Sequence, residues 1–402
     1  MNYKCLHCGA NLEYNIDSRD LYCSHCSSHF PISDFEYTSC NNDSESETFR
    51  MKAGSSGLLS MQLCKCKSCG GELFKTSTET STFCAYCGQS SLITERIEDC
   101  YAPDLIIPFK VSKSDAERII RANFEDNKYA PSGIRNFKTE TLHGIYVPFM
   151  VYDADYSDRI TWKYYMTDSD GWDKSHCWLR DFDCHFENVT RVASKRVSKS
   201  AAERLEPFDM RQAVEFNPAY LSGFYSDMTD VSTLTTDMDV KTRLNIIAEN
   251  CAVKDLKHVT ESVRIEKSNP KINITKKKYA LLPVWFLTFR FEDTPYTILL
   301  NGQTGKIVGG IPFDKKHLFK TTALLSLPIS AAIAFPAYFI GSAFTTTLQN
   351  AGSVKFLVIA ATAMAVIISL GIGCGNAKSF IQSSREITNS SEINSFAKER
   401  QE

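Results

Sequence analysis

The sequence lacks the motifs of the common enzyme classes. It has no G-x-x-x-x-G-K-[ST] phosphate loop, no G-x-S-x-G, no H-E-x-x-H and no protein-kinase motif set, and Gly302–Lys306 resembles a phosphate loop only in composition. Four scattered cysteines are typical of small buried side chains rather than catalytic nucleophiles. They are Cys100, Cys177, Cys184 and Cys251. The sequence therefore supports no enzymatic activity.

A strong charge of one sign is also missing. The chain has 402 residues, of which 45 are Lys or Arg and 47 are Asp or Glu, so its formal net charge is −2. Attraction of the whole chain to nucleic-acid phosphates needs a marked basic excess. Any nucleic-acid binding must therefore be local.

No apolar run precedes the first cysteine, Cys5. A secretory signal needs such a run, so the sequence predicts thiols that face a reducing compartment. Fifteen cysteines are present, and eight of them form four C-x-x-C pairs in the first quarter of the chain. Pairs of this kind are typical of metal ligands.

The four pairs form two copies of one pattern, in residues 1–35 and 64–94. In each copy a C-x-x-C-G segment is followed by an insert and a second C-x-x-C pair, and all cysteines of the second copy keep an offset of 61 from the first. This spacing indicates a tandem duplication. The candidate metal ligands are Cys5, Cys8, Cys23 and Cys26 in the first copy and Cys66, Cys69, Cys84 and Cys87 in the second.

Four thiolates from two short turns suit one tetrahedral zinc ion, and glycine after the first pair permits a tight turn. Each copy is therefore predicted to be a zinc ribbon, giving two Zn²⁺ per chain. Iron is the alternative, because sulfur donors alone do not exclude it. His7, His25 and His29 lie near the first pairs but are expected to face solvent, and neither Cys40 nor Cys64 has a counterpart in the other copy.

The rest of the chain divides by composition. Residues 36–63 are polar and rich in Gly and Ser, which predicts a flexible linker. Residues 101–313 alternate between strand-like stretches and helical spacing, so we expect an α+β domain.

Residues 321–344 and 356–374 contain no charged side chain, and each approaches the ~20 residues with which a helix crosses a bilayer. They predict a C-terminal transmembrane hairpin, followed by a polar tail over 375–402. Basic residues flank the hairpin on both outer sides: Lys315, Lys316, Lys320, Lys378 and Arg385. By the positive-inside rule, the ribbons and both termini are expected to be cytoplasmic.

Several short sequence segments, together with the repeated C-x-x-C turns, resemble those of a known family. They are Ile107–Lys110, Gly144–Phe149, Tyr220–Phe224, Leu282–Trp285 and Asn301–Lys306. With them the chain resembles the bacterial TFIIB-type zinc-ribbon membrane proteins, some of which are labelled as similar to the zinc-binding part of the replication-restart helicase. The resemblance implies zinc ligation by the eight cysteines and a place in the bacterial plasma membrane. It implies no catalytic residue.

These expectations favour a membrane-anchored zinc-binding protein, a non-enzymatic adaptor or scaffold that recruits a protein partner to the cytoplasmic face of the lipid bilayer. One alternative is a membrane-tethered protein that binds nucleic acid through its ribbons. The charges of the first ribbon give this little support, being Lys4 and Arg19 against Glu13, Asp17, Asp20 and Asp34. A second alternative is a transporter accessory or a metal sensor, whose zinc would exchange readily.

Overall fold

The computed structural model of the chain describes residues 3–35, 58–75, 84–86, 92–125, 142–167, 173–253, 263–291, 294–309, 320 and 335–336. The first of these ranges forms a small antiparallel sheet of β1 (Glu13–Asn15), β2 (Asp20–Tyr22) and β3 (His29–Phe30). Leu12 and Leu21, which lie in the insert between the two cysteine pairs, are buried, and so is Phe30 of β3. The insert therefore folds as a hairpin with apolar residues of its own.

A second, larger sheet takes in most of the remaining described residues. Its twelve strands are β4 (Leu58–Cys66), β5 (Glu72–Lys75), β6 (Leu92–Tyr101), β7 (Leu105–Ile106), β8 (Leu142–Thr167), β9 (Asp173–Val192), β10 (Val214–Glu215), β11 (Tyr225–Ser226), β12 (Val263–Lys267), β13 (Lys271–Phe291), β14 (Thr294–Asn301) and β15 (Ile307–Gly309). The main path runs β10-β7-β13-β8-β11-β5-β4-β6, while β9 and β12 pair with β8, β14 pairs with β13, and β15 pairs with β14.

Three helices accompany this sheet in the described residues: α1 (Lys113–Glu125), α2 (Lys199–Leu205) and α3 (Thr233–Val253). In α3 the buried residues recur every fourth position, at Thr236, Val240, Leu244, Ala248 and Ala252. This spacing gives the helix one face that can pack against the sheet.

Strands β8 and β13 lie side by side in antiparallel register at the centre of the large sheet. Successive side chains of a strand point to opposite faces, and both faces of these strands are buried. On one face Tyr146 and Met150 of β8 share a core with α1, α3 and the first ribbon. On the other, Val147 and Phe149 share a core with α2 and with cysteines of the second copy. The first ribbon therefore packs on one face of the large sheet, and the described cysteines of the second copy lie in the core on the other face.

The second copy does not stand apart as a module. Its strand β5 pairs with β4 on one side and with β11 on the other, and β4 also pairs with β6. Strand β4 begins at Leu58, inside the segment predicted to be a linker. The cysteine turns of the second copy are thus part of the large sheet.

The predicted fold class and localisation are wrong. Among the described residues the structure is mixed and rich in strands, and none of their helices is long and apolar enough to cross a membrane. The longest, α3, carries charged residues such as Asp237 and Arg243. An uncharged run fixes only hydropathy and does not by itself form a spanning helix. Apart from 335–336, the predicted spans 321–344 and 356–374 and the tail lie outside the described residues.

Candidate metal centres

The four cysteines of the first copy converge on one point, and we call them the first cluster. Their sulfur atoms all lie within 4.8 Å of one another. The Sγ atoms of Cys5 and Cys26 are 3.4 Å apart, and those of Cys8 and Cys23 are 3.5 Å apart. A tetrahedral zinc ion with Zn–S bonds of about 2.3 Å needs sulfurs separated by about 3.8 Å. The first cluster could therefore hold a metal ion with small adjustments of its side chains.

Local backbone turns bring these sulfurs together. In the first turn the Gly9 N–H donates to the Cys5 carbonyl oxygen at 2.9 Å, and Gly9 has a φ of +72°. In the second turn the Ser27 N–H donates to the Cys23 carbonyl oxygen at 2.8 Å, and Ser27 has a φ of +58°. The two turns share one geometry, but only the first has glycine at the left-handed position, which L side chains rarely adopt.

The electrostatics of the first cluster favour a cation. Hydrogen bonding with Ser28 lowers the pKa of Cys26 to about 6, which favours its thiolate form. A backbone hydrogen bond from Ala10 lowers the pKa of Cys8, but desolvation and the three neighbouring cysteines outweigh it and raise this pKa to about 12. Adjacent thiolates repel one another, and a bound cation would relieve that repulsion.

The histidines near this cluster have other partners. His7 Nδ1 lies 2.9 Å from Ser28 Oγ, and His29 Nδ1 lies 2.9 Å from Asp20 Oδ2. The ring nitrogens of His7, His25 and His29 are not part of the first cluster.

Cys66, Cys69 and Cys84 form the second cluster, with their sulfur atoms within 4.8 Å of one another. The Sγ atoms of Cys69 and Cys84 are 3.8 Å apart, the separation expected across a tetrahedral zinc site. The fourth predicted ligand, Cys87, lies outside the described residues. The Gly70 N–H donates to the Cys66 carbonyl oxygen at 2.8 Å, repeating the first turn of the first cluster.

Cys64 is two residues before the first ligand of this cluster but is not grouped with it. Its Sγ lies 3.7 Å from Thr94 Oγ1 on the neighbouring strand β6. Cys40 lies outside the described residues.

The two clusters differ in burial. All three described cysteines of the second cluster are buried, whereas Cys8 in the first cluster is exposed. Next to Cys84, the carbonyl oxygen of Ala85 accepts a hydrogen bond from the Thr288 hydroxyl at 2.8 Å. The ring of Tyr86 packs edge-on against Phe286, with centroids 5.8 Å apart. Strand β13 thus supports the turn that carries Cys84.

A network of buried charges supports the turn of the second cluster that carries Cys66 and Cys69. Arg196 donates to Asp227 Oδ1 at 2.5 Å and to Glu72 Oε2 at 3.0 Å, and Glu72 stands three residues after Cys69. Asp227 is fully buried and also accepts from the Ser194 hydroxyl and the Met228 N–H. The ion pairs offset part of the desolvation cost of these buried charges, and the pair with Glu72 ties the network to β5.

The first ribbon docks on the short 3-10 helix Pro218–Leu221 and on the residues at its two ends. The Tyr14 N–H donates to the Ser222 carbonyl oxygen at 3.0 Å, and the Tyr14 ring packs edge-on against Tyr220 at 5.3 Å. Asn217 Nδ2 donates to the Phe35 carbonyl oxygen at 3.2 Å. Contacts through Tyr14 and Phe35 thus hold the first ribbon to this helix, while Cys8 of the first cluster remains exposed.

Sequence patterns did not reveal the supporting residues Thr288, Arg196 and Asp227. Alternation over 279–291 could place Thr288 in a strand, but the partner at Ala85 is more than 200 residues away in the chain. No local signal connects such positions.

Comparison with known proteins adds one relative. The chain is similar to the uncharacterized protein YdjG of Bacillus subtilis (strain 168), with 22% identity over 238 residues, which are 56% of this chain and 68% of that protein. No protein-family model matches the chain, and no solved structure matches it. Since that relative has no stated activity, the role of the two clusters is argued from their geometry.

Proposed function

We propose that the chain is a non-enzymatic zinc protein in which the second cluster stabilises the large sheet and the first cluster presents a surface to a protein partner. The coordination supports this division. A site closed by four cysteines leaves no open position for water or substrate, which is the arrangement of structural zinc rather than catalytic zinc. The function therefore lies in the surface that the metal organises.

Zinc, with two ions per chain, is part of this proposal, and so is the resemblance to the TFIIB-type zinc ribbons. Both are supported by the repeated C-x-x-C turns and by sulfur separations of 3.4–3.8 Å. The second ion requires Cys87 as its fourth ligand. Iron is the competing metal, because it accepts the same four thiolates.

The observation that supports a protein partner is the exposure of Leu6. Its side chain is 69% exposed, although it stands next to the buried ligand Cys5 in a turn fixed by metal ligands. An apolar side chain presented to solvent beside the metal ligands can take part in contact with a protein. The acidic balance of the first ribbon, in contrast, opposes nucleic-acid phosphates.

A crosslinking experiment tests the proposal in cells. The full-length chain would carry a photo-crosslinking amino acid in place of Leu6, or as a matched control in place of Leu234, which is 71% exposed on α3. We expect one defined protein adduct from position 6, and the same adduct when lysed cells are irradiated in about 0.5 M salt, where phosphate contacts are weak. A nucleic-acid adduct, no adduct, or an equal yield of the same adduct from position 234 contradicts the proposal.

A further inference from the structure

Two cysteines outside the metal clusters come from distant parts of the chain. Cys184 lies in β9 and is partly buried, and Cys251 lies near the end of α3 and is exposed. Neither belongs to a group of metal-ligating side chains among the described residues. Their relative position follows from the way α3 crosses β9.

Contacts on both sides of the two thiols fix this crossing. Arg243 of α3 donates to the carbonyl oxygen of Thr190 in β9 at 2.8 Å. Further along the helix, Ala252 shares a buried apolar cluster with Phe182 of the same strand. The helix thus advances from 243 to 252 while the strand runs back from 190 to 182. Cys251 directly precedes Ala252, so it lies beside this stretch of β9.

The side chain of Cys184 points toward the helix. It is two residues from Phe182, so the two share a face of the strand. In the sheet register Cys184 stands opposite Tyr156 of β8, and the Tyr156 hydroxyl donates to Asn245 Oδ1 of α3 at 2.9 Å. The face that holds Cys184 is therefore the face that α3 covers.

The electrostatics agree with this proximity. Burial raises the pKa of the Cys184 thiol, and the nearby Cys251 and Asp183 raise it further. Cys184 is therefore protonated at neutral pH. The exposed Cys251 is the thiol that a dissolved oxidant reaches first.

We propose that Cys184 and Cys251 form a peroxide-responsive thiol pair whose oxidation to a disulfide fastens α3 to β9. Hydrogen peroxide transfers one oxygen to the Cys251 sulfur, giving a sulfenic acid and one water. The Cys184 sulfur then attacks the sulfenic sulfur. The S–S bond forms as the S–O bond breaks, and the oxygen leaves with the Cys184 proton as a second water. In sum, two thiols lose two electrons and two protons to one peroxide.

The chain contains a matched control in Cys177. This cysteine is exposed on the same strand, but seven residues from Cys184, so it points to the opposite face. Its Sγ lies 3.7 Å from Glu266 Oε2 of β12. A reaction that needs only an exposed thiol on β9 will involve Cys177, whereas the proposed reaction will not.

The test is disulfide mapping of the full-length, zinc-loaded chain. Dilute protein is treated with hydrogen peroxide, free thiols are blocked, and peptides are identified by mass spectrometry without reduction. We expect an intrachain Cys184–Cys251 peptide in most molecules, released by a dithiol reductant. It should persist in Cys177→Ser and be absent in Cys251→Ser, whose exposed position tolerates the change.

Other results overturn the proposal. They include disulfides confined to the metal-ligating cysteines, a Cys177–Cys251 peptide in comparable yield, and a Cys184–Cys251 peptide that forms only after the protein is unfolded. The wild-type map alone decides among these outcomes, so the result does not depend on whether a variant folds.

Discussion

The Thr288 hydroxyl donates a hydrogen bond of 2.8 Å to the carbonyl oxygen of Ala85. Ala85 follows the ligand Cys84 directly, and Thr288 lies in the central strand β13. The bond therefore ties the turn of the second cluster to the middle of the large sheet. Through it, metal binding at this cluster and stability of the sheet become linked, because a shift of either partner leaves a buried carbonyl oxygen without its donor.

The first prediction concerns this bond. Thr288→Val keeps the shape of the side chain but removes the donor, so the free energy of unfolding of the metal-loaded chain should fall by about 1–2 kcal/mol. Release of metal from the second cluster to a chelator should also become faster. Thr288→Ser retains the hydroxyl and should restore slow release. Equal release from the Val and Ser variants contradicts the coupling.

The second prediction compares ligands of the two clusters. Cys84→Ser should lower the stability of the large sheet by roughly 4 kcal/mol or more, since it removes a metal ligand from that sheet's core. Cys23→Ser should chiefly disorder the first ribbon and its contacts with Tyr220 and Ser222. Hydrogen exchange of β8 and β13 in both variants distinguishes these effects. If both variants lose hydrogen-exchange protection in β8 and β13 to a similar extent, the proposed difference between the two clusters is contradicted.

The third prediction concerns the left-handed turn at Gly9. A Cβ added there meets no other atom within 4 Å, so Gly9→Ala costs only the strain of its φ of +72°. We expect a loss of about 1 kcal/mol in the stability of the metal-loaded first ribbon, measured by chelator-induced unfolding. Ala10→Gly is the neighbouring control. An unchanged Gly9→Ala protein means that the turn is not held in this conformation.

The fourth prediction concerns pH. His143 lies in β8 with its Nε2 buried and without a hydrogen-bond partner in the described part of the chain. Burial, assisted by the charge of Lys113, lowers the pKa of His143 to about 4 from the ordinary 6.5. Folding thus favours the neutral ring. The free energy of unfolding is therefore unaffected by protonation of His143 above pH 6.5. It falls as the pH drops from 6.5 toward 4, by up to about 3 kcal/mol.

His143→Phe removes this titration. Unfolding by denaturant at pH 7 and pH 5 should show a smaller acid loss in the variant than in the wild type, and the protonation of metal ligands, common to both proteins, cancels in the difference. Identical acid losses show that His143 does not titrate in this range.

The cysteine spacing predicted both clusters because the convergence of ligands is local. A C-x-x-C-G turn aims two sulfurs at one point through hydrogen bonds such as that from Gly9 to Cys5. The prediction of two cysteine clusters able to hold metal is confirmed. The identity of the metal stays a prediction, since the same thiolates accept iron.

The different surroundings of the two copies could not be predicted. Lys75 of β5 pairs with Tyr225 of β11, 150 residues further along the chain, and no pattern in either segment specifies that pairing. Although the two copies share one ligand spacing, the first packs on one face of the large sheet and the second supplies a strand of that sheet. The apolar runs misled for a related reason, because hydropathy describes a segment without its surroundings.

The most direct test of the account is metal analysis combined with timed chelation of the full-length chain. We predict two zinc ions per chain, bound by sulfur in X-ray absorption, and released in two phases. The fast phase should come from the exposed first cluster and disappear in Cys8→Ser, while the slow phase from the buried second cluster should persist. Iron in place of zinc, a single ion per chain, or one common release rate for both ions would contradict the account.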